Sequence, residues 1–317
     1  MTSVKTIIDL IKLNNNFAIV SHTSPDGDCM GSMLGLYNCL KLLNKNVNVY
    51  LNDVVPKRLS FLEGASNIIT EAPSVKYDVV FALDCGDTKR LSFSDILLKE
   101  TTVINIDHHK SNDYYGTHNY VCPEISSVGE MLFSIMKEGE LPIDRNVAIC
   151  LYTSIVSDTG GFKYSNTSPS TLISAANLME FNIDHSKIYN RLLDEKTKQQ
   201  LKLTALATNE LKFYFDDKLA IIYLSDEIIK ESGVDENETG DIVNIGRDID
   251  TVEVSVLIKK KSDNLYKISI RSKNYADVRF VAESFSGGGH IRAAGCAISG
   301  DIDFVIDSLL SKIKEII

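Results

Sequence analysis

Three apolar, β-rich runs in the first half of the chain, residues 17–20, 79–83 and 102–106, each stop at or next to acidic or histidine residues. After the first come His22, Asp26 and Asp28; after the second, Asp84; after the third, Asp107, His108 and His109. If the runs are parallel strands of one sheet, their carboxyl ends lie side by side, where open α/β sheets place their ligands. Groups far apart in sequence then meet in one crevice, and Asp158, at the end of a helix-like stretch, can join them.

Each piece alone is ordinary. A histidine after a strand is commonly a hydrogen-bonded structural residue, and Pro25-Asp26-Gly27-Asp28 has the composition of a turn. Their repeated position at strand ends is what carries weight. No Lys or Arg stands among these groups, and clustered carboxylates repel one another while burial penalises their charge. A pair of divalent cations would remove that cost, so His22, Asp26, Asp28, Asp84, Asp107, His108, His109 and Asp158 are candidate metal ligands.

The 317 residues suit two domains, and 44% hydrophobic with 24% charged residues is the composition of a globular protein. No stretch approaches bilayer length, and residues 1–20 lack the order of a signal peptide, so a cytoplasmic location with no membrane partner is expected. Cysteines 29, 39, 85, 122, 150 and 296 form no C-x-x-C pair, which argues against a zinc knuckle or a disulfide framework. A net charge of −10 argues against an extended surface for long duplex nucleic acid. Locally the balance reverses: residues 257–292 hold eight basic side chains against three acidic ones. Among them Arg271, Lys273 and Arg292 flank a triple glycine and are candidates for anion contact.

Strand and helix patterns alternate through the first half, predicting a parallel sheet with helices on both faces. Helices are expected over 29–44, starting at Asp28, over 127–137 and over 144–156, and another capped by Ser168 with Pro169 at its first position. We expect a first domain over 1–190, a helical linker over 191–212 and a smaller α/β domain over 213–317. In the last, strand pairs surround Asp216-Asp217 and Ser262-Asp263-Asn264, and a helix over 277–285 leads into the loop Ser286-Gly287-Gly288-Gly289-His290. Consecutive glycines let backbone amides approach an anion, and a helix beginning there would add its positive end.

The motifs His22-x-x-x-Asp26-x-Asp28, Leu83-Asp84-Cys85-Gly86-Asp87, Asp107-His108-His109 and Ser157-Asp158-Thr159-Gly160 resemble those of the DHH phosphoesterase superfamily. Arg271-Ser272-Lys273, followed by Gly287-Gly288-Gly289-His290-Ile291-Arg292, looks like its DHH-associated substrate domain. The resemblance spans nearly the whole chain and is nearest to the nano-RNase and pAp phosphatase branch. It implies two Mn²⁺ ions, one held by His22, Asp26 and Asp84 and the other by Asp28, Asp84, His108 and Asp158. His109 then faces the substrate phosphate as a catalytic group, with Asp107 orienting its neighbours and Asp87 in a structural or supporting place. Arg271, Gly287, Gly288, Gly289 and His290 clasp the substrate's terminal phosphate or sugar.

By the same resemblance, hydroxide activated between the two metals attacks phosphorus, converting short oligoribonucleotides to mononucleotides and 3'-phosphoadenosine 5'-phosphate (pAp) to AMP. A cyclic di-AMP or pApA phosphodiesterase shares every motif named. A manganese-dependent inorganic pyrophosphatase shares the first four but lacks the glycine-histidine loop. Tyr114, Tyr115 and Tyr120 follow the third motif and can either stack on a base or pack inside. An oligomeric assembly is left open.

Overall fold

The structure is a computed structural model that describes residues 2–99, 101–235 and 238–317. It divides into two compact units, Met1–Glu195 and Lys196–Ile317.

In the first unit the chain runs α1 (Val4–Leu13), β1 (Asn16–Val20), α2 (Gly27–Leu42), β2 (Asn46–Tyr50), β3 (Ile68–Ile69), β4 (Val79–Leu83), α3 (Ser94–Leu97), β5 (Thr102–Asp107), β6 (His118–Val121), α4 (Val128–Glu138), α5 (Arg145–Asp158), α6 (Pro169–Met179) and α7 (His185–Tyr189). The strands form a parallel sheet in the order β3-β2-β1-β4-β5-β6. Every residue of β4 is buried, as expected for a strand covered on both faces, which is why it reads as an unbroken apolar run. Strand order reverses between β1 and β4, so the crevice at their carboxyl ends is the natural ligand position. Ser21 fixes that edge, its Oγ donating to the Leu83 carbonyl at 2.6 Å.

Behind the sheet, α2 is buried along Gly27–Leu40 and packs closely on α5. Gly27, Gly31 and Gly35 recur every fourth residue and so share one helix face. A Cβ at Gly31 would stand 2.5 Å from the Cys150 carbonyl and 2.7 Å from the Ser154 amide. The glycines therefore set how near α2 and α5 approach, and these helices carry Asp28 and Asp158.

The second unit contains α8 (Lys198–Asn209), β7 (Lys212–Tyr214), β8 (Leu219–Leu224), α9 (Asp226–Ser232), α10 (Val243–Arg247), β9 (Val254–Ser262), β10 (Leu265–Ser272), α11 (Val278–Glu283), β11 (Gly288–His290), β12 (Ala293–Ser299) and α12 (Ile302–Ile313). Its sheet runs β11-β12-β10-β9-β8-β7, antiparallel except between β8 and β9. Alternation divides the cores: Leu219 and Ile221 join Ile268, Val281 and Leu309 on one side, while Ile222 and Leu224 meet Leu203 and Ala207 of α8 on the other. The stretch 191–212 thus includes a helix packed into this unit.

The glycine segment differs from the expectation. No helix begins there: α11 ends at Glu283, and after Ser286, at φ 57°, the chain enters β11 on the sheet edge. A Cβ at Gly287 would stand 2.3 Å from the Gly295 carbonyl, and Gly289, at φ 145°, would put one 2.5 Å from the Ala293 carbonyl. Both glycines are required by close approach to β12, and any anion contact comes from the exposed backbone of an edge strand instead of a helix terminus.

Candidate metal centre

Asp84 occupies the middle of the crevice. It follows β4 in the left-handed region at φ 51° and is 2% exposed. Its Oδ2 lies 3.4 Å from His22 Nε2, and its Oδ1 lies 3.6 Å from His108 Nε2. His22, Asp26 and Asp84 form one group able to hold an ion, and Asp28, His108 and Asp158 form another, each with its donor atoms within 4.8 Å of one another. A third group combines Asp84 and His108 with His109, but His109 Nδ1 is already bonded to Asp107 at 2.7 Å.

Backbone carbonyls orient both buried rings. His22 Nδ1–H donates to the Thr23 carbonyl at 2.8 Å and His108 Nδ1–H to that of Ile125 at 3.1 Å. Each Nε2 is thereby turned to the carboxylates, the arrangement metal-binding histidines need. Asp26 caps α2, accepting from the Cys29 amide at 3.0 Å, and the helix starts at Gly27, one residue before the expected Asp28. Asp28 accepts from the Val128 amide (2.9 Å) and Gly129 amide (3.3 Å) at the start of α4 and from Ser154 Oγ (2.6 Å). Asp158 ends α5, where Asn166 Nδ2 donates to its carbonyl at 3.1 Å.

These residues suit divalent cations. Asp84 Oδ1 is buried with no hydrogen-bond partner, a costly state for an anionic oxygen unless a cation answers it. Burial raises the pKa of Asp28 and of Asp84, in the latter case reinforced by the Asp28 and Asp26 charges, and raises Asp158 to about 7. His108 is lowered by burial, but Asp158, Asp28 and Asp84 outweigh that and lift it to about 10. The donors are imidazole and carboxylate without thiolate, since Cys29 and Cys85 are buried with thiols pushed up by burial.

Asp107 and His109 form a separate pair. Burial favours neutral Asp107, yet the His109 hydrogen bond and charge, with Asn112, hold its pKa below the usual value. Asn112 Nδ2 bridges Asp107 Oδ2 at 2.6 Å and Asn105 Oδ1 at 2.8 Å. Asp87 Oδ1 instead accepts the amides of Lys89 and Arg90, closing a turn. In the second unit, Arg271 is half-buried on β10, with Nη1 donating to the Ile270 carbonyl at 3.0 Å, and Gly288, Gly289 and His290 are exposed. Sequence reading missed Asn105, Asn112 and Ser154. The small residues at every fourth position of α2 signal a close helix neighbour, but nothing in the sequence marks Ser154 as the group that meets Asp28.

Residues 16–155 match the DHH family, N-terminal domain, and residues 216–317 match the DHHA1 domain. A bifunctional oligoribonuclease and PAP phosphatase, NrnA, of Thermus thermophilus is 30% identical, the alignment covering 94% of this chain and 89% of the relative. The chain belongs to the DHH family. The NrnA of Bacillus subtilis is 25% identical over 98% of both chains. An exopolyphosphatase-related protein of Bacteroides fragilis superimposes on this DHH protein with a TM-score of 0.91 and 28% identity, covering 98% of this chain and 95% of that one. Among the described residues no helix is long and apolar enough to cross a membrane.

The raised groups give a pH prediction. A carboxyl whose folded pKa exceeds its unfolded value stabilises the ion-free fold at low pH and loses that contribution as pH rises, for Asp158 between 3.8 and about 7. Raised His108 has the same sign, between 6.5 and about 10. Cation binding requires those protons to leave, so the thermal shift given by saturating Mn²⁺ should be larger at about pH 8 than at about pH 5.5. Equal shifts at the two values would contradict the assignment.

Proposed function

We propose that this protein is a metal-dependent phosphoesterase that hydrolyses short oligoribonucleotides to mononucleotides and pAp to AMP. The observation that carries the reading is one buried carboxylate, Asp84, facing two His/Asp groups through its two oxygens. The kinship with NrnA proteins narrows the substrate to nucleotides.

In this reading His22, Asp26 and Asp84 hold one Mn²⁺, and Asp28, Asp84, His108 and Asp158 hold the other. When bound, such a pair lowers the pKa of water and neutralises charge developing on a phosphoryl group. The chain supplies the rest. Asp107, held ionised, accepts from His109 Nδ1–H, which fixes the ring and turns Nε2 away from that carboxylate toward the place a substrate phosphate takes in this reading. Ser154 and the first amides of α4 steady Asp28, so that ligand is placed before any ion arrives. Arg271, Gly287, Gly288, Gly289 and His290 take the terminal phosphate or sugar, giving a preference for chain ends over long duplexes. A cytoplasmic setting belongs to the same proposal, and six cysteines with no disulfide agree with it.

The test is a panel of pAp, pApA, RNA dimers to pentamers, cyclic di-AMP and pyrophosphate under Mn²⁺, run on the wild type and Arg271→Ala. Wild type should cleave the short RNAs and pAp fastest. Arg271→Ala should raise KM for phosphate-terminated substrates about tenfold or more, the scale of a lost charge-assisted hydrogen bond, and much less for a small chromogenic phosphodiester. Preferential cleavage of cyclic di-AMP or pyrophosphate would replace the reading. An equal Arg271→Ala loss on both substrate types would remove Arg271 from the clasp.

A further inference from the structure

The three tyrosines after the third motif have separate fates. Tyr115 donates its hydroxyl to the Cys85 carbonyl at 2.9 Å and receives Asn105 Nδ2 at 3.2 Å, and its half-buried ring packs on the sheet. Tyr120 packs against the main core. Tyr114 does neither: it is 56% exposed, and its backbone is left-handed at φ 54°.

That combination sets Tyr114 apart among the described aromatic residues. Phe93, Phe162 and Phe215 share the left-handed backbone, but each lays its ring on a hydrophobic cluster that compensates for the conformation. A bulky side chain adopts this region at a cost, and such outliers gather at ligand-binding positions.

The segment around Tyr114 is strapped to the strand ends that carry the metal centre. Asn112 Oδ1 receives the Tyr114 amide at 2.7 Å while its Nδ2 holds Asp107, and the Asp113 amide donates to the Gly86 carbonyl at 2.8 Å. On the far side, the Tyr115 hydroxyl pins the chain to Cys85. Asn112, Asp107 and His109 gather around Gly86, where a Cβ would be in ordinary contact, 3.5 Å, with Asn112 Cα, Asp107 Oδ2 and His109 Cβ alike. Tyr114 lies two residues beyond Asn112, so its Cα is at most about 7 Å along the chain from a residue bonded to the His109–Asp107 pair. A phenol ring presented to solvent from a backbone fixed on both sides is a preorganised platform.

We propose that Tyr114 is a substrate-binding residue whose ring stacks on a nucleobase of the substrate. The inference rests on the nucleotide reading above and adds the group that recognises the base, where the metal centre and His109 recognise only phosphate. Stacking on an aromatic face tolerates any base, which suits an enzyme acting on mixed short RNA.

The experiment compares Tyr114→Asn with Tyr114→Phe on a 5'-phosphorylated adenosine dinucleotide and on its two analogues lacking one base. Asparagine tolerates the left-handed backbone, so Tyr114→Asn removes the ring without straining the fold, and Tyr114→Gly serves as a second ring-deleted variant. In wild type, KM should be lower for the complete dinucleotide than for one of the abasic analogues. Tyr114→Asn should shrink that ratio about tenfold, the scale of a lost base–aromatic stack, and Tyr114→Phe should restore it. An unchanged ratio in both ring-deleted variants overturns the stacking role while leaving the nucleotide reading intact. A wild type that cleaves none of the three overturns both.

Discussion

Asp84→Asn is expected to lower kcat/KM by on the order of 10³-fold or more, because in the proposed reading one substitution removes a ligand that both ion positions share. The change keeps the shape of the side chain and replaces one anionic oxygen with an amide that donates. Whichever way the amide lies, one of His22 and His108 faces its NH2 group in place of the oxygen at 3.4 or 3.6 Å, and the Asp84 charge is gone for both. The fold should not suffer. Asparagine is at ease at the φ of 51° that Asp84 adopts, and removing a buried carboxyl whose pKa is raised by burial relieves the ion-free protein at neutral pH. Circular dichroism and the ion-free melting temperature should match wild type or exceed it, while bound Mn²⁺ per chain falls from two. Full activity at matched Mn²⁺, or two ions retained, would remove Asp84 from the centre of the chemistry.

The crevice was legible because its carriers are local signals. β1, β4 and β5 are apolar runs that a sheet covered on both faces demands, and Asp84 and the Asp107-His108-His109 run begin where two of them end. The start of α2 was also readable to within a residue: apolar spacing placed it at Asp28, and the helix begins at Gly27 with Asp26 as its cap. What escaped is non-local. Ser154 meets Asp28 across 126 positions of sequence, and nothing in the hydroxyl of one serine among many marks it. Asn105 lies inside a strand and reads as a blemish in an apolar run, although its side chain holds the Ala82 and Cys85 carbonyls on either side of Asp84. The glycine segment was misread in form for a related reason. Composition reports that the backbone needs freedom, and only the register against β12 reveals that Gly287 and Gly289 spend it on close approach to a neighbouring strand.

The second large effect concerns stability and comes from the glycine face of α2. Gly31→Ala is expected to destabilise the ion-free protein by about 2 kcal/mol, as a difference between opposing effects. Overpacking a dense interior costs about 1–3 kcal/mol or more, and alanine's better helix propensity returns about 1 kcal/mol. The upper end of the cost applies because the new methyl would meet backbone: the Cys150 carbonyl at 2.5 Å and the Ser154 amide at 2.7 Å, neither of which can rotate aside. Gly35→Ala, one turn along the same face, provides the contrast. Its nearest neighbour is Leu151 Cδ2 at 2.6 Å, the end of a side chain that can change rotamer, so propensity and repacking nearly cancel and the net change should be within about 0.5 kcal/mol. Chemical denaturation midpoints distinguish the two, and equal midpoints would show that α2 and α5 do not meet this closely. The same clash reaches the metal centre. Moving α5 away from α2 lengthens the 2.6 Å bond from Ser154 to Asp28 and separates Asp28 from Asp158, which both approach His108. Gly31→Ala should therefore weaken Mn²⁺ binding by roughly 10-fold or more, as loss of ligand-orienting contacts does, while Gly35→Ala leaves it near wild type. A Gly31→Ala protein that is destabilised yet binds Mn²⁺ with wild-type affinity would separate helix packing from ligand placement.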